Sequence, residues 1–302
     1  MMFHQKKLVS IGLPVYNGER ALARALDSLL GQTYQNIELI ISDNASVDTT
    51  KAICEAYAKR DDRIIYIRQR TNTGVAENFS SVVEKSKGEF FMWGAHDDWW
   101  APAFIERLVF ALEQHPKCGV AMSSFARVYE DGAVYQDFLF EGKNDVARFS
   151  QYDMFYKTVV PGNPFQYFVC GLFNVALLKD MLTKHSPLSI RHDRVVMAEI
   201  ALATRFCSIP EKLYVKTTYR QSTSDRYAGD SLATPYYGQK AYTRYAWEVF
   251  RRFTASEHIP VQRKLKAACT VYPRFLWKLR YRIIKEFPVV FAMGKGIRKL
   301  FV

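Results

Sequence analysis

The chain has 302 residues, 49% of them hydrophobic and 24% charged, the balance of a globular protein large enough to bury a core without disulfides or structural metals. Its five cysteines (Cys54, Cys118, Cys170, Cys207, Cys269) are scattered and never spaced Cys-x-x-Cys, which argues against a disulfide framework or a zinc site and fits a reducing, cytosolic setting. The net charge is +12, and residues 241–302 carry 14 Lys or Arg against 3 acids, a net +11, so the body is near neutral and the tail strongly basic.

No apolar stretch of signal-peptide length follows Met1, and no window reaches the roughly 18 apolar residues of a spanning helix. Aromatic residues, at 15%, suit a platform for rings or sugars, a surface that touches lipid, or a bulky core.

Taken in chain order, Leu8-Val9-Ser10-Ile11-Gly12-Leu13 is a predicted strand ending at Pro14. Asn17-Gly18 turns the chain into a helix with Leu22, Ala25, Leu26, Leu29 and Leu30 on one face. Ile37 to Ile41 is a second strand, and Asp48-Thr49-Thr50 opens a helix to about Lys59. The strand Ile64 to Ile67 leads through Asn72-Thr73-Gly74 to a helix from Val75 to Ser86. Gly88 to Met92 is a short buried strand, and a helix starts near Pro102. Strands alternating with helices in this way predict a doubly wound, mostly parallel α/β sheet.

Between that last strand and helix lies Trp93-Gly94-Ala95-His96-Asp97-Asp98. Two adjacent carboxylates thus stand at the carboxyl end of a strand, where open α/β sheets bind ligands and where hard oxygen donors suit Mg²⁺ or Mn²⁺. The bland alternative is an acidic turn before a helix.

Further on, Val120 to Ser123 is a strand, Phe125 to Phe173 is aromatic and resists assignment, and Arg194 to Ala203 is a helix. Phe206 to Pro210 and Lys212 to Val215 read as closing strands, and Ser222 to Gly238 as a loop and boundary. In the tail, Leu265, Cys269, Tyr272, Leu276, Leu279, Ile283 and Phe287 recur at helical spacing between basic residues, interrupted at Pro273. Such a helix either lies on an anionic membrane surface or packs on the body of the protein. No nucleic-acid motif is present in the sequence, and none is expected as a partner.

Four segments in order, Val9 to Glu19, Asp43 to Asp48, Asn72 to Asn78 and His96-Asp97-Asp98, resemble the family 2 glycosyltransferases of GT-A fold, which invert configuration as they move a sugar from a nucleotide-diphospho-sugar. The resemblance covers about Leu8 to Glu113, thins towards Arg220, and implies a GT-A domain over residues 1–225, with a nucleotide half 1–115 and an acceptor half 116–225. Residues 226–302 form a basic, mainly helical extension.

The resemblance assigns donor contacts to Pro14, Tyr16, Asn17, Glu19, Asp43, Asn44, Asn72, Gly74, Asn78 and Asp97, with Tyr16 stacking on the base and Asp43 or Asn44 accepting from a uracil imide. It implies a divalent cation, Mg²⁺ or Mn²⁺, on Asp98 and Asp97, although Ala95 replaces the first carboxylate of the usual motif. Asp193 is the expected base for the acceptor hydroxyl, or else a helix cap, with Glu199 in reserve; Arg220 is placed near the diphosphate.

The partners so implied are a UDP-sugar and a glycan or lipid-linked acceptor in cell-surface polysaccharide synthesis, in the cytoplasm or peripheral on the inner membrane face. A silent sugar-nucleotide binder and a nucleotidyltransferase are the alternatives.

Overall fold

The computed structural model describes residues 6–183, 192–221 and 241–285. Strands β1 (Val9–Val15) and β2 (Ile37–Asp43) are buried at every position, as strands covered on both faces must be. β1 pairs parallel with β2 and with β4 (Phe90–Trp93), and β2 pairs parallel with β3 (Ile64–Arg68). The helices between them are α1 (Leu22–Leu30), α2 (Thr50–Ala58) and α3 (Val75–Glu84).

A Cβ built on Gly12 would meet Val82 of α3 at 2.6 Å, whereas one on Gly94 would lie 3.2 Å from Leu29 of α1 and 3.7 Å from Ile11. Side chains alternate along a strand, so α1 and α3 cover opposite faces of the sheet. The parallel register sets Val15 beside Asp43 and Asp43 beside Arg68, so the carboxyl ends of these strands form one rim. β1 continues through Pro14 rather than ending there. Pairing with β4 stops at Gly12, so the proline, which has no N–H, deprives no neighbour on that side.

The second half comprises β5 (Trp99–Trp100), α4 (Phe104–Gln114), β6 (Cys118–Tyr129), β7 (Val134–Phe138), α5 (Gln151–Val159), β8 (Leu172–Asn174), α6 (Val175–Thr183), α7 (His192–Ala203) and β9 (Arg205–Thr218). The sheet order is β3-β2-β1-β4-β8-β6-β9-β5, with β7 on β6 and β8 antiparallel to both its neighbours. The two predicted closing strands are one strand, β9, which passes Pro210 because its register with β6 shifts between Ser123 and Phe125. In the aromatic segment Phe125, Phe138, Phe140, Phe165 and Phe168 are buried and pack against one another in stacked, tilted and edge-on pairs. Those rings are core rather than a platform for sugars.

The tail helices are α8 (Ala241–Ala255), α9 (Val261–Lys266) and α10 (Tyr272–Lys285). They dock on α5 and α7. Tyr245 donates to the Val159 carbonyl at 2.5 Å, Phe253 meets Phe155 edge-on at 5.5 Å, and Arg263 donates to the Leu202 carbonyl at 3.0 Å. A π-helical turn, Ala267–Val271, precedes Pro273. It widens the helix where the proline would collide with the preceding turn. The extra residue also rotates the buried face. Ala267, Val271, Phe275 and Leu279 point inward, while Leu265 and Cys269, predicted to lie on the apolar stripe, are exposed.

Glu199, held in reserve as a base, is instead fully buried and accepts from Arg252 Nε of α8 at 2.6 Å. Removing one partner of a buried ion pair costs about 3–5 kcal/mol, because the other charge stays behind in a poor dielectric. Arg252→Met should therefore destabilise the full chain by about that amount in a denaturant titration, and adding Glu199→Leu should restore most of the loss. An unchanged midpoint in Arg252→Met would refute this role.

Candidate active site

Four loops meet at the rim. The first follows β1: Tyr16 is half-buried, and Asn17 adopts a left-handed φ of 52°, accepting from Val47 N through Oδ1 while its own N–H reaches Ser46 Oγ at 2.9 Å. Glu19 accepts from Thr49 N and Oγ1 at 3.1 and 2.9 Å, and Asp48 accepts from Glu19 N at 3.2 Å. These bonds tie the first loop to the second.

In the second loop Asp43 is fully buried. It accepts from Ser46 N at 2.8 Å, Tyr66 Oη at 2.9 Å and Arg68 Nη1 at 3.1 Å. Burial, and then Asp43 itself, push the Tyr66 phenol above its ordinary range. Asn44 has its whole hydrogen-bonding capacity engaged: Oδ1 accepts from Thr73 N and Oγ1, and Nδ2 donates to Asn72 Oδ1 and the Gly74 carbonyl. The expected uracil acceptor is therefore, in Asn44, a clamp that shapes the third loop.

Asn72 also accepts from Gly74 N, and Gly74 takes a φ of 88° that favours glycine at the start of α3. Asn78, one turn into α3, is buried. It accepts from Ser42 Oγ at 2.6 Å and donates to the Ser42 carbonyl at 3.1 Å. Asn78 thus fixes the helix to the strand ends rather than facing the cleft.

The fourth loop carries the acidic pair, and it differs most from expectation. The Asp97 carbonyl accepts from Arg24 of α1 at 3.1 Å and from Thr217 Oγ1 of β9. Asp98 is fully buried, with Tyr214 Oη at 2.5 Å, Lys216 Nζ at 2.9 and 3.1 Å from its two oxygens, and Thr217 N at 2.9 Å. A carboxylate offers about four acceptor positions, and all are used. Burial, with Asp97 nearby, holds the Asp98 carboxyl above the usual carboxylate range although the Lys216 ammonium draws it down; burial likewise lowers Lys216, but Asp98 and Asp97 outweigh it and hold the ammonium above its ordinary range.

Among the described residues no group of three or more His, Cys, Asp or Glu is placed to hold a metal ion. Asp98 does not fit the role of divalent-ion ligand, because each position a metal would take already receives a proton donor.

Arg220 lies on the surface, stacked on Tyr129 at 3.9 Å and paired with Asp131 at 2.8 Å. Asp193 falls in the first turn of α7, and its side chain lies outside the described residues. Sequence reasoning missed Arg68, Tyr214, Lys216 and Thr217. Arg68 carried a signal, a cation directly after a predicted strand. The β9 residues carried none, since their partner is more than 110 positions away.

The arrangement of four loops at parallel strand ends has counterparts. The profile of Glycosyl transferase family 2 matches residues 10–182. The chain belongs to that family. A glycosyltransferase of Rickettsia typhi is 40% identical over 102 residues, 34% of this chain and 31% of the relative. Glycosyltransferase GlyA of Streptococcus pneumoniae is 33% identical over 100 residues, 33% of this chain and 14% of the relative. These matches span about a third or less of the relatives' own lengths.

The fold is GT-A, shared with the crystal structure of S. aureus TarS bound to UDP-GlcNAc (TM-score 0.65, 16% identity, 93% of this chain and 80% of that one). It is shared also with the mannosyltransferase PcManGT of Pyrobaculum calidifontis bound to GDP-Man and Mn²⁺ (TM-score 0.60, 15% identity, 99% and 82% coverage). This family 2 chain thus has the scaffold of its neighbours, with a lysine pressed against the last carboxylate of its acidic pair.

Proposed function

We propose that the protein is an inverting glycosyltransferase that moves a sugar from a nucleotide-diphospho-sugar, a UDP-sugar in the first instance, to a glycan or lipid-linked acceptor in cell-surface polysaccharide synthesis. The observation that carries this reading is the convergence of the β1, β2, β3–α3 and β4 loops at one rim of a family 2 chain. Its structural neighbours are bound to UDP-GlcNAc and GDP-Man.

In the reaction the bond from the anomeric carbon to the diphosphate oxygen breaks, and its electron pair leaves with the nucleoside diphosphate. The acceptor oxygen attacks from the opposite face, and its proton passes to the Asp193 carboxylate. Tyr16, at the mouth of the first loop, stacks on the base, while Asn17, Glu19, Asp43 and Asn44 hold the loops in register.

A thermal-shift panel of UDP-, GDP- and other nucleotide sugars should stabilise the protein with one nucleotide class, followed by release of the nucleoside diphosphate and an inverted glycosidic product. Stabilisation without turnover would assign a silent binder; a nucleotide sugar and pyrophosphate formed from a nucleoside triphosphate and a sugar 1-phosphate would assign a nucleotidyltransferase.

We propose further that transfer takes place on the cytoplasmic face of an anionic membrane. Among the described residues no helix is long and apolar enough to cross one. The docked tail exposes Trp247, Trp277 and Tyr281, and the Arg280 guanidinium stacks on Trp277 at 3.7 Å and Tyr281 at 4.3 Å, a pairing suited to the interface. Because α8 and α10 also contribute to the core, point changes test this better than deletion. Lys278→Ser with Arg280→Ser should weaken flotation with anionic vesicles by about 2 kcal/mol, roughly thirtyfold, and equal flotation would exclude the surface.

A further inference from the structure

The fourth loop offers an observation that goes beyond the reaction class. A cation already sits on Asp98, and the chain supplies it. Lys216 Nζ lies 3.1 and 2.9 Å from the two carboxylate oxygens. Tyr214 and the Thr217 N–H fill the remaining acceptor positions, and Ala95 stands where a further carboxylate would be needed for a divalent ion. Mg²⁺ requires near-octahedral oxygen ligands at about 2.0–2.1 Å and could enter only by displacing the ammonium.

Asp98 is fully buried and the Lys216 side chain is 24% exposed, so the lysine runs between the buried carboxylate and the surface of the loop. An ammonium has three N–H donors. Two of them are directed at the oxygens of Asp98, so one donor is not used by that carboxylate. The lysine is also fixed twice over: β9 pairs with β5 through Trp99 and Val215, and Thr217 binds the Asp97 carbonyl, so the flanks of Lys216 are locked to the loop that carries the acids.

We propose that Lys216 is the cation that meets the donor diphosphate at the end of β4, in the place where the acidic motif leads one to expect a divalent metal. This rests on the reading of the rim as a nucleotide-diphospho-sugar site. Its consequence is that donor binding needs no added metal. A preplaced charge stabilises the leaving diphosphate without reorganisation at the moment of bond cleavage, and it does not dissociate when a chelator is present.

The experiment is calorimetric titration of the full chain with UDP and with GDP, in EDTA and in excess Mn²⁺ or Mg²⁺. The bound nucleotide should show the same affinity under both conditions, within about twofold, and initial rates of transfer should likewise resist EDTA. Lys216→Met alone strands the Asp98 charge and risks the fold. The paired variant Asp98→Asn/Lys216→Met keeps the cluster neutral, so it should retain the wild-type circular dichroism and lose at least about tenfold in nucleotide affinity in EDTA. A tenfold or greater gain in wild-type affinity on adding Mn²⁺ or Mg²⁺, or a folded paired variant that binds as the wild type does, would overturn the role of Lys216 alone. Failure of both nucleotides to bind under every condition would overturn the nucleotide site and the lysine together.

Discussion

Asp98→Asn is expected to cost the protein about 3–5 kcal/mol of stability, the price of leaving a buried charge without its partner. The amide still accepts a hydrogen bond, but it brings no charge to offset the Lys216 ammonium 2.9 Å away, and its NH₂ group now faces donors from Tyr214, Lys216 or Thr217. Guanidinium titration of the full chain measures this directly. A carboxylate that merely awaited a metal at an open rim would behave differently: its substitution should lie within about 0.5 kcal/mol of wild type. The sequence favours that second outcome, since a ligand change spares the fold. The structure favours the first because β9 closes over the loop and makes the acid part of the interior. A stability unchanged in Asp98→Asn would show that the cluster of Tyr214, Lys216 and Thr217 does not form in solution.

The other large effect concerns catalysis. Asp193→Asn should lower the rate of transfer by about 10²–10⁴-fold, the range lost with a general base, while nucleotide affinity stays within about twofold. The split between rate and affinity is what matters. If Asp193 only caps or charges the first turn of α7, the variant should lose about 0.3–1 kcal/mol of stability and turn over normally. Steady-state kinetics beside a denaturation curve separate the two, and normal turnover would move the base elsewhere.

Much of the nucleotide half was written locally. Hydrophobic runs such as Val9 to Leu13 and Ile37 to Ile41, the Leu22 to Leu30 stripe and the turn residues at Asn17-Gly18 and Asn72-Gly74 each declare an element within a few positions. Because parallel strands put their carboxyl ends on one side, knowing the elements was nearly enough to know the rim. The family followed from the same stretches, and the match over residues 10–182 begins where those motifs begin.

What the chain order could not convey was the use made of each polar group. Asn44, Asn78 and Asp98 are spaced like ligand contacts, yet their bonds are spent on Thr73, Ser42 and Lys216. The tail was ambiguous for the same reason: its basic, amphipathic pattern serves a membrane or a protein surface equally, and the contacts of Tyr245, Arg252 and Phe253 with α5 and α7 decide that one face belongs to the core. Local periodicity fixes an element because neighbours along the chain are neighbours in space. A hydrogen bond between residues 118 apart, such as Lys216 to Asp98, leaves no trace in either neighbourhood, and only the folding of β9 across the rim brings the two charges together.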